Sequence, residues 1–349
     1  MLWRHVMLAL PEIESVPNHV LDRVGRITRG LGAELELFHC VHNSDLTGRA
    51  MPGAALDDLV RVRMEERHRR LERIADTLRD QQIDVHASVR ADYPVYEAII
   101  RQVLHHGSNL LIVPAGRLGH AGGSRALTYT DSRLIEACPC PLLLLKSNQA
   151  YAQGPIVAAV DPSHAHDKPA ALDESIIAAA MTLSSALSQA PVHLYHAVPP
   201  LTEPAMRPGN GELSEAPLSA ERQKVHWVGR EHEVRKLAAR HQLSERSVYV
   251  ELGRIEATLP TYSREVRADA VVMGAISRSY PQRVLFGYTA EKVLDALDSD
   301  VLIVKPKGFR SPVHRRPAPT PQRAAEQGFG ALRHMAEREE GATRWGWRR

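Results

Sequence analysis

Cysteine is scarce in this chain, and long apolar runs are absent. The only cysteines among 349 residues are Cys40, Cys138 and Cys140, which do not form a disulfide set. The Cys138-Pro139-Cys140 spacing suits neither a zinc knuckle nor a thioredoxin-like site, so both cysteines are interpreted as small residues entering a buried strand. No apolar run reaches the length of a membrane helix, and no signal peptide is expected before the first strand. These absences favour a reducing, cytoplasmic location.

Motifs of the common enzyme classes are also missing. The sequence has no Walker loop, no Gly-x-Ser-x-Gly elbow, no His-Glu-x-x-His and no dinucleotide-binding fingerprint. No catalytic residue is therefore predicted.

The chain is organised around a strand, a loop and a helix in residues 268–294. An apolar run ends at Gly274, a polar loop follows, and Gly287 precedes a segment with apolar residues at helical spacing. A second buried strand then ends at Pro306. The amides and the dipole of a helix N-terminus favour negative charge, so this loop is a predicted anion site.

The same pattern occurs earlier in the chain. Tyr129-Thr130 corresponds to Tyr288-Thr289, and Lys146 to Lys305, both with an offset of 159 residues (288 − 129 and 305 − 146). Residues 37–41 resemble residues 194–198 at an offset of 157 (196 − 39). A period this long indicates a duplicated domain rather than a solenoid.

Strands and helices alternate in both copies, which predicts an α/β fold. The predicted domains are residues 1–148 and 154–306, each a five-stranded parallel sheet flanked by helices, and a disordered tail is predicted for residues 307–349. Residues 199–217 are rich in Pro, Gly and Glu and are predicted to form a mobile loop.

These segments resemble the universal stress protein family, in particular the two-domain subtype called universal stress protein E. The resemblance is carried by residues 129–141 and 287–291 and covers roughly residues 1–309. It implies two tandem flavodoxin-like domains that pack as a pseudo-dimer within one chain, often through their last strands. Fusion would then replace a homodimer interface, and further homo-oligomerisation stays open.

The resemblance also implies a nucleotide site. Nucleotide-binding members have a glycine, two residues, a second glycine, nine residues, and then a glycine before serine or threonine. Gly274 and Gly287 hold the outer positions here, whereas Ser277 and Tyr288 depart from the pattern. The predicted contacts of a bound ATP are Asp161, Gly274, Ser277, Gly287, Tyr288 and Thr289.

Only the second domain is expected to bind a nucleotide. The first has Pro11 and Pro114 at the positions of Asp161 and Gly274, and a proline has no amide to donate. It also has Thr128 at the position of Gly287. A bulky residue at position 274 is expected to abolish binding and leave folding intact.

Two groups of polar residues leave alternatives open. Asp161, His164 and His166 share one loop and could ligate zinc, but spacing identifies no further ligand, so a solvated loop is favoured and no metal is predicted. His39 and His196 end the second strand of each domain, where structural hydrogen bonds are favoured over ligand contact.

The function predicted from these features is stress resistance through binding of a ligand or partner, without catalysis. The alternative is an ATP-binding protein or slow ATPase acting through the second domain. If no nucleotide binds, the candidate is a small apolar ligand in the crevice of either domain, where strands one and four part.

The tail is the basic part of the chain. Residues 307–349 hold ten Lys and Arg against four Glu, a net of +6, so the rest carries +3 − 6 = −3. Residues 344–349 mix arginine with tryptophan, and such a composition can adhere weakly to nucleic acid or anionic lipid. The alternative, favoured here, is a solvated extension.

Overall fold

The computed structural model describes residues 3–41, 53–116, 127–162, 171–206, 213–275 and 288–315, with the backbone alone for 53–57, 204–206, 213–217 and 288. The first half contains β1 (His5–Ala9), α1 (Asn18–Leu31), β2 (Glu34–Val41), α2 (Gly53–Arg79), β3 (Val85–Ala91), α3 (Val95–His106), β4 (Leu110–Pro114), α4 (Tyr129–Ala137) and β5 (Leu142–Leu145). The second half contains β6 (Ile156–Ala159), α5 (Ala171–Ala186), β7 (Val192–Val198), β8 (Thr202–Met206), β9 (Leu213–Pro217), α6 (Ala220–Arg240), β10 (Val248–Leu252), α7 (Ile255–Glu265), β11 (Ala270–Gly274), α8 (Tyr288–Ala296) and β12 (Asp300–Val304).

The strands are short apolar runs, as expected for a sheet covered on both faces. All five residues of β4 and of β12 are buried. The helices bury one stripe each, and α1 places Val20, Val24 and Ile27 in the core. It ends at Gly32, whose φ of 57° is the left-handed conformation of a glycine C-cap.

Each half forms a five-stranded parallel sheet, which confirms the predicted fold class. The strand order is β5-β4-β1-β2-β3 in the first half and β12-β11-β6-β7-β10 in the second. Strand one of each half therefore lies between strands two and four, where the order reverses. Flavodoxin itself has the order 2-1-3-4-5, so the third strand is added at a different place here.

The two halves form one continuous ten-stranded sheet. Strand β5 pairs antiparallel with β12, with Leu143 opposite Leu302. This pairing of the two last strands is the one implied by the resemblance. Helices α1 and α5 pack so closely that a Cβ on Gly30 would clash with the Ala186 carbonyl. A continuous core covers each face, so the halves share their hydrophobic interior.

Two equivalent lysines cross between the halves. Lys146 follows β5 and donates from Nζ to the carbonyl of Leu294 in α8. Lys305 follows β12 and donates from Nζ to the carbonyls of Ile135 and Glu136 in α4. Each ammonium thus meets the carbonyl end of the other half's last helix, where the helix dipole favours a cation.

Two segments differ from the predictions. Strands β8 and β9 pair antiparallel, so residues 202–206 and 213–217 form a two-stranded ribbon where a mobile loop was predicted. Residues 307–315, predicted as part of the tail, make contacts with the domains: Val313 packs against the core on one face of the sheet, and Arg315 donates to the carbonyl of Leu104 in the first half. Residues 316–349 lie outside the described part of the chain.

Candidate functional site

The candidate site lies where β6 and β11 end, at the reversal of strand order in the second half. Asp161 follows β6, and the amide of the preceding Val160 donates to Tyr195 O at 2.9 Å. In the first half the amide of Leu10 makes the same bond to Phe38 O, also at 2.9 Å. Asp161 and Pro11 are therefore equivalent in register. Ala275 N and Ala115 N likewise bond the ends of β12 and β5, which makes Gly274 equivalent to Pro114.

His196 and His39 connect the second strand of each half to the first. His196 Nδ1–H donates to Val160 O at 2.9 Å, and His39 Nδ1–H donates to Leu10 O at 2.8 Å. Both imidazoles are 3% exposed. This geometry agrees with the structural reading of the two histidines, because each joins two strand ends at the floor of a crevice.

His196 has a second ring nitrogen that faces no hydrogen-bond partner among the described residues. Its Nε2 is buried, and donation from Nδ1 leaves Nε2 as an acceptor. Burial lowers the pKa of His196, which favours the neutral ring at pH 7. A carboxylate oxygen of Asp161 lies 3.9 Å from Nδ1. The site thus contains a neutral buried acceptor beside a half-exposed carboxylate.

Asp161 is held by the helix that follows it. Its backbone amide donates to the carboxylate of Asp173 at 3.1 Å, and Asp173 is buried in the first turn of α5. This bond fixes the chain direction after β6. His164 and His166, the other members of the weak metal alternative, lie outside the described residues.

Gly274 has a packing reason to lack a side chain. A Cβ there would lie 2.6 Å from Leu172 Cδ2 and 3.3 Å from Ile176 Cδ1, both on α5. A bulky residue at position 274 would have to push these two side chains aside, so we expect some loss of stability, and the expectation that folding stays intact remains a prediction. The role of Gly274 toward a ligand stays a prediction.

The rest of the predicted loop is only partly described. Ser277 and Gly287 lie outside the described residues, as does the side chain of Tyr288. Helix α8 begins at Tyr288, and Thr289 is exposed in its first turn. The amides of that turn are available in principle for an anion.

The first half differs sharply at the corresponding place. Asp131, in the first turn of α4, accepts through Oδ2 from Thr128 N at 2.8 Å, Thr128 Oγ1 at 2.7 Å and Gly116 N at 3.1 Å. Gly116 has a φ of 76°, so it turns its amide toward the helix in a conformation that glycine adopts freely. The carboxylate therefore links Gly116, just after β4, to Thr128 at the start of α4.

Burial raises the pKa of Asp131, while the bonds from Thr128 and Gly116 favour its ionised form. Thr128 and Asp131 form a capping box, a signal readable in the sequence that the predictions did not use. The offset of 159 places Ala290 at the corresponding position of α8 (131 + 159). The second half thus lacks the carboxylate that fills the first.

Two further sequence features, the paired cysteines and the absence of long apolar runs, can be compared with the structure. Cys138 and Cys140 are buried beside the start of β5 with their sulfurs 3.6 Å apart, which agrees with their predicted role as small core residues. Among the helices of the described chain, none combines the length and apolarity needed to span a membrane.

Comparison with known proteins matches both halves. The sequence profile of the Universal stress protein family matches residues 3–146 and 154–305. The chain is 27% identical over 234 residues to universal stress protein E of Photorhabdus laumondii, covering 66% of this chain and 72% of that protein. It is 28% identical over 222 residues to universal stress protein E of Escherichia coli K12, covering 62% and 67%.

Solved structures with this fold include a putative universal stress protein of Pseudomonas aeruginosa UCBPP-PA14, with a TM-score of 0.64 at 23% identity over 93% of this chain and 98% of that one. A universal stress protein of Archaeoglobus fulgidus has a TM-score of 0.58 at 14% identity over 86% and 98%. At these identities the likeness concerns the fold.

Proposed function

Because the chain belongs to the universal stress protein family, which supports a role in the stress response, we propose that it acts there by binding a ligand in the crevice of its second half. The proposal is that binding changes the conformation or the partners of the protein and that no reaction is catalysed. The observation that carries it is the difference between the two loops. In the first half Asp131 places a carboxylate between Gly116 and the start of α4, whereas Ala290 holds the corresponding position in the second half.

A nucleotide such as ATP is the proposed ligand. Its phosphates would lie at the N-terminus of α8, where amides and the helix dipole favour anions. Asp161 would accept hydrogen bonds from the adenosine, and Gly274, Ser277, Gly287, Tyr288 and Thr289 would border the phosphates. An aspartate at position 131 would repel phosphate at the equivalent place, which supports restriction of ATP to the second half.

His196 supports binding rather than catalysis. Its Nε2 is a buried acceptor next to the end of β6, suited to receive a hydrogen bond from a hydroxyl or an amino group. The other ring nitrogen is already used by Val160 O, so the ring is fixed. The alternative remains an ATP-binding protein or slow ATPase acting through the same site. A cytoplasmic location and further homo-oligomerisation are part of the proposal.

A paired substitution tests the nucleotide site. Ala290→Asp transfers the carboxylate of the first half into the second, and Asp131→Ala is its matched control. Calorimetric titration of the full chain with Mg-ATP should show that Ala290→Asp lowers the affinity at least about tenfold, because the new carboxylate would face the phosphates. Asp131→Ala should bind as the wild type does, because Pro11 and Pro114 remain in the first half.

The outcomes separate the hypotheses. Equal ATP affinity in Ala290→Asp, with unchanged circular dichroism, would place the nucleotide elsewhere. Analysis of the nucleotide after incubation distinguishes a binding protein, which leaves ATP intact, from a slow ATPase, which releases ADP and phosphate. Absence of binding by the wild type at millimolar ATP would leave a small apolar ligand as the candidate.

One open pocket, lined by both apolar and polar side chains, is a place where that second candidate can be tested. A volume of about 310 Å³ lies between the segment after β1 and helix α2, lined by Ile13, Val16, Leu21 and Ile74 with Arg70 and Arg73 at its border. This is near the lower end of the range for small-molecule sites. A fluorescent apolar probe displaced by a ligand, and insensitive to ATP, would identify this cavity.

A further inference from the structure

Three metal-ligating side chains meet at the opposite end of the first half's sheet. His5 opens β1, Glu34 opens β2 directly beside it, and His106 ends α3. His5 Nδ1 lies 2.5 Å from Glu34 Oε1, and His106 Nε2 lies 3.3 Å from the same oxygen. One ligand atom from each residue lies within 4.8 Å of the others.

A small tetrahedral ion requires a defined spacing of its ligand atoms. Zinc bonds of 2.0–2.1 Å to nitrogen and oxygen at tetrahedral angles separate neighbouring ligand atoms by about 3.3 Å. The donor set of two imidazoles and one carboxylate is one that zinc uses when a fourth position is left to water. His106 Nε2 already lies at that distance from Glu34 Oε1, whereas His5 Nδ1, now 2.5 Å from the same oxygen, would have to move away from it on binding.

His106 is oriented as a metal ligand rather than as a simple hydrogen-bonding residue. Its Nε2 is buried without a hydrogen-bond partner among the described residues, although the carboxylate of Glu34 is near. Its Nδ1 faces a carboxylate oxygen of Glu36 at 3.8 Å. Ligating histidines commonly direct their other ring nitrogen to a carboxylate in this way, which fixes the tautomer.

Glu36 is itself held in place below the cluster. It is 3% exposed, and its Oε1 accepts from Ser88 Oγ and Gln102 Nε2, both at 2.5 Å. Its Oε2 has no hydrogen-bond partner in the described part of the chain. A buried carboxylate with one unsatisfied oxygen is costly, and a proton on His106 Nδ1 would compensate it.

The second half lacks all three residues at the equivalent positions. The register of β6 on β7 places Pro155 and Pro191 where the first half has His5 and Glu34. Asn109 N bonds His5 O as Asp269 N bonds Pro155 O, which makes Val266 equivalent to His106. The cluster is therefore present in one copy only and is not needed to close the fold.

We propose that His5, Glu34 and His106 form a binding site for a zinc-class divalent ion, with Glu36 orienting His106. This site is separate from the nucleotide crevice, which lies at the other edge of the sheet. An ion there would tie β1, β2 and α3 together and stabilise the first half by mass action.

The test uses the full chain, free of affinity tags and treated with a chelator. Calorimetric titration with zinc should show one ion per chain at this site, and cobalt should give the visible absorption of a tetrahedral complex. His106→Gln and Glu34→Gln should each weaken zinc binding at least tenfold, since even loss of a residue that orients a ligand costs about 10–100-fold. Zinc should raise the thermal unfolding temperature of the wild type and not that of these variants.

His105→Gln is the matched control, because His105 is the exposed neighbour of His106 on α3. It should bind zinc as the wild type does. A double variant His164→Gln, His166→Gln tests the loop after Asp161. Unchanged zinc affinity in both Glu34→Gln and His106→Gln would overturn the proposal, as would loss of binding confined to the loop variant or equal loss in His105→Gln.

Discussion

Replacing Asp300 by asparagine should be among the most damaging single changes in this protein. Asp300 opens β12 and is fully buried. Both of its oxygens accept from Arg23 Nη1 at 2.9 Å. One also accepts from the amides of Lys146 and Ser147 at 2.8 and 3.0 Å, and the other from Tyr151 OH at 2.7 Å. One carboxylate thus joins α1, the connection between the halves, and the last strand.

The size of the effect follows from the burial of both charges. Arg23 is 1% exposed, so Asp300→Asn leaves its guanidinium without a counter-charge in the interior. Removing one partner of such a pair typically costs about 3–5 kcal/mol of the free energy of unfolding. Asparagine keeps one acceptor oxygen for the two amides, so the lost charge accounts for most of this value. The double variant Arg23→Met, Asp300→Asn removes the uncompensated charge and should be more stable than Asp300→Asn alone.

Urea denaturation at pH 7, followed by circular dichroism, measures these differences. Arg61→Met is the control, because Arg61 and Glu65 form an exposed pair at 3.0 Å with side chains 63% and 57% exposed. This change should alter stability by no more than about 0.5 kcal/mol. Because Asp300 connects the halves, its variant should also broaden the transition or divide it into two steps.

Two results would refute this reasoning. A loss below about 1 kcal/mol in Asp300→Asn would mean that the pair contributes no more than an exposed one. A double variant whose loss equals the sum of the single losses would mean that the two charges do not interact.

Three further predictions concern packing, pH and the tail. Gly274→Leu should destabilise the fold by about 1–3 kcal/mol in urea denaturation, because its side chain would collide with Leu172. Burial lowers the pKa of Lys305 to about 8, below its unfolded value, so the penalty for burying its charge is present below pH 8 and is relieved as pH rises toward 10.5. The stability of the wild type relative to Lys305→Met should therefore rise by about 3 kcal/mol over that window. Truncation after residue 315 should leave thermal unfolding unchanged and remove any affinity for RNA or anionic vesicles, which should fall steeply with salt.

Each of these has a clear contrary outcome. A Gly274→Leu protein as stable as the wild type would show that α5 can move away from β11. A stability difference between wild type and Lys305→Met that is flat from pH 8 to 10.5 would mean that Lys305 titrates normally in the fold. Truncation after residue 306 is the control for the tail, since it also removes the packing of Val313 and should lower stability slightly. RNA binding that survives truncation after residue 315, or that does not depend on salt, would mean that the binding surface lies outside the tail.

The duplicated α/β fold could be predicted because its signals are local and repeated. Buried strands appear as apolar runs, and the turns that follow them carry proline, glycine or aspartate in both halves. The pairing of β5 with β12 followed from the resemblance, whereas its register, with Leu143 opposite Leu302, did not. The equivalence of Pro114 and Gly274 was also readable, because both end the fourth strand of their half.

Long-range polar contacts could not be predicted in the same way. In the sequence Asp300 is simply the polar residue before an apolar run, and none of its neighbours along the chain indicates that Arg23 is its partner. The ribbon of β8 and β9 was missed because its sequence has no regular alternation of apolar and polar residues. Residues 307–315 form no helix or strand, so the sequence pattern of this segment did not indicate that it contacts the domains.

The ligand crevice shows a different limit. A glycine that approaches a phosphate and a glycine that accommodates a packed helix both need the absence of a Cβ, so the sequence cannot separate the two roles of Gly274. The capping role of Asp131 could have been predicted, because Thr128 and Asp131 have the spacing of a capping box. Its contact with Gly116, which closes the loop, depends on the fold and could not be read locally.

The distribution of symmetric and asymmetric features explains how the halves could diverge. At the interface each half donates hydrogen bonds to the other. Lys146 and Lys305 accordingly reach equivalent carbonyls, those of Leu294 and Ile135. These carbonyls lie near the C-terminal ends of α8 and α4, whereas the first turns of the two helices lie at the ligand crevices. Changes there, as between Asp131 and Ala290, alter one half without disturbing the other. A tandem protein can therefore close one crevice and keep another free for a ligand, an arrangement that a symmetric homodimer of identical chains cannot encode.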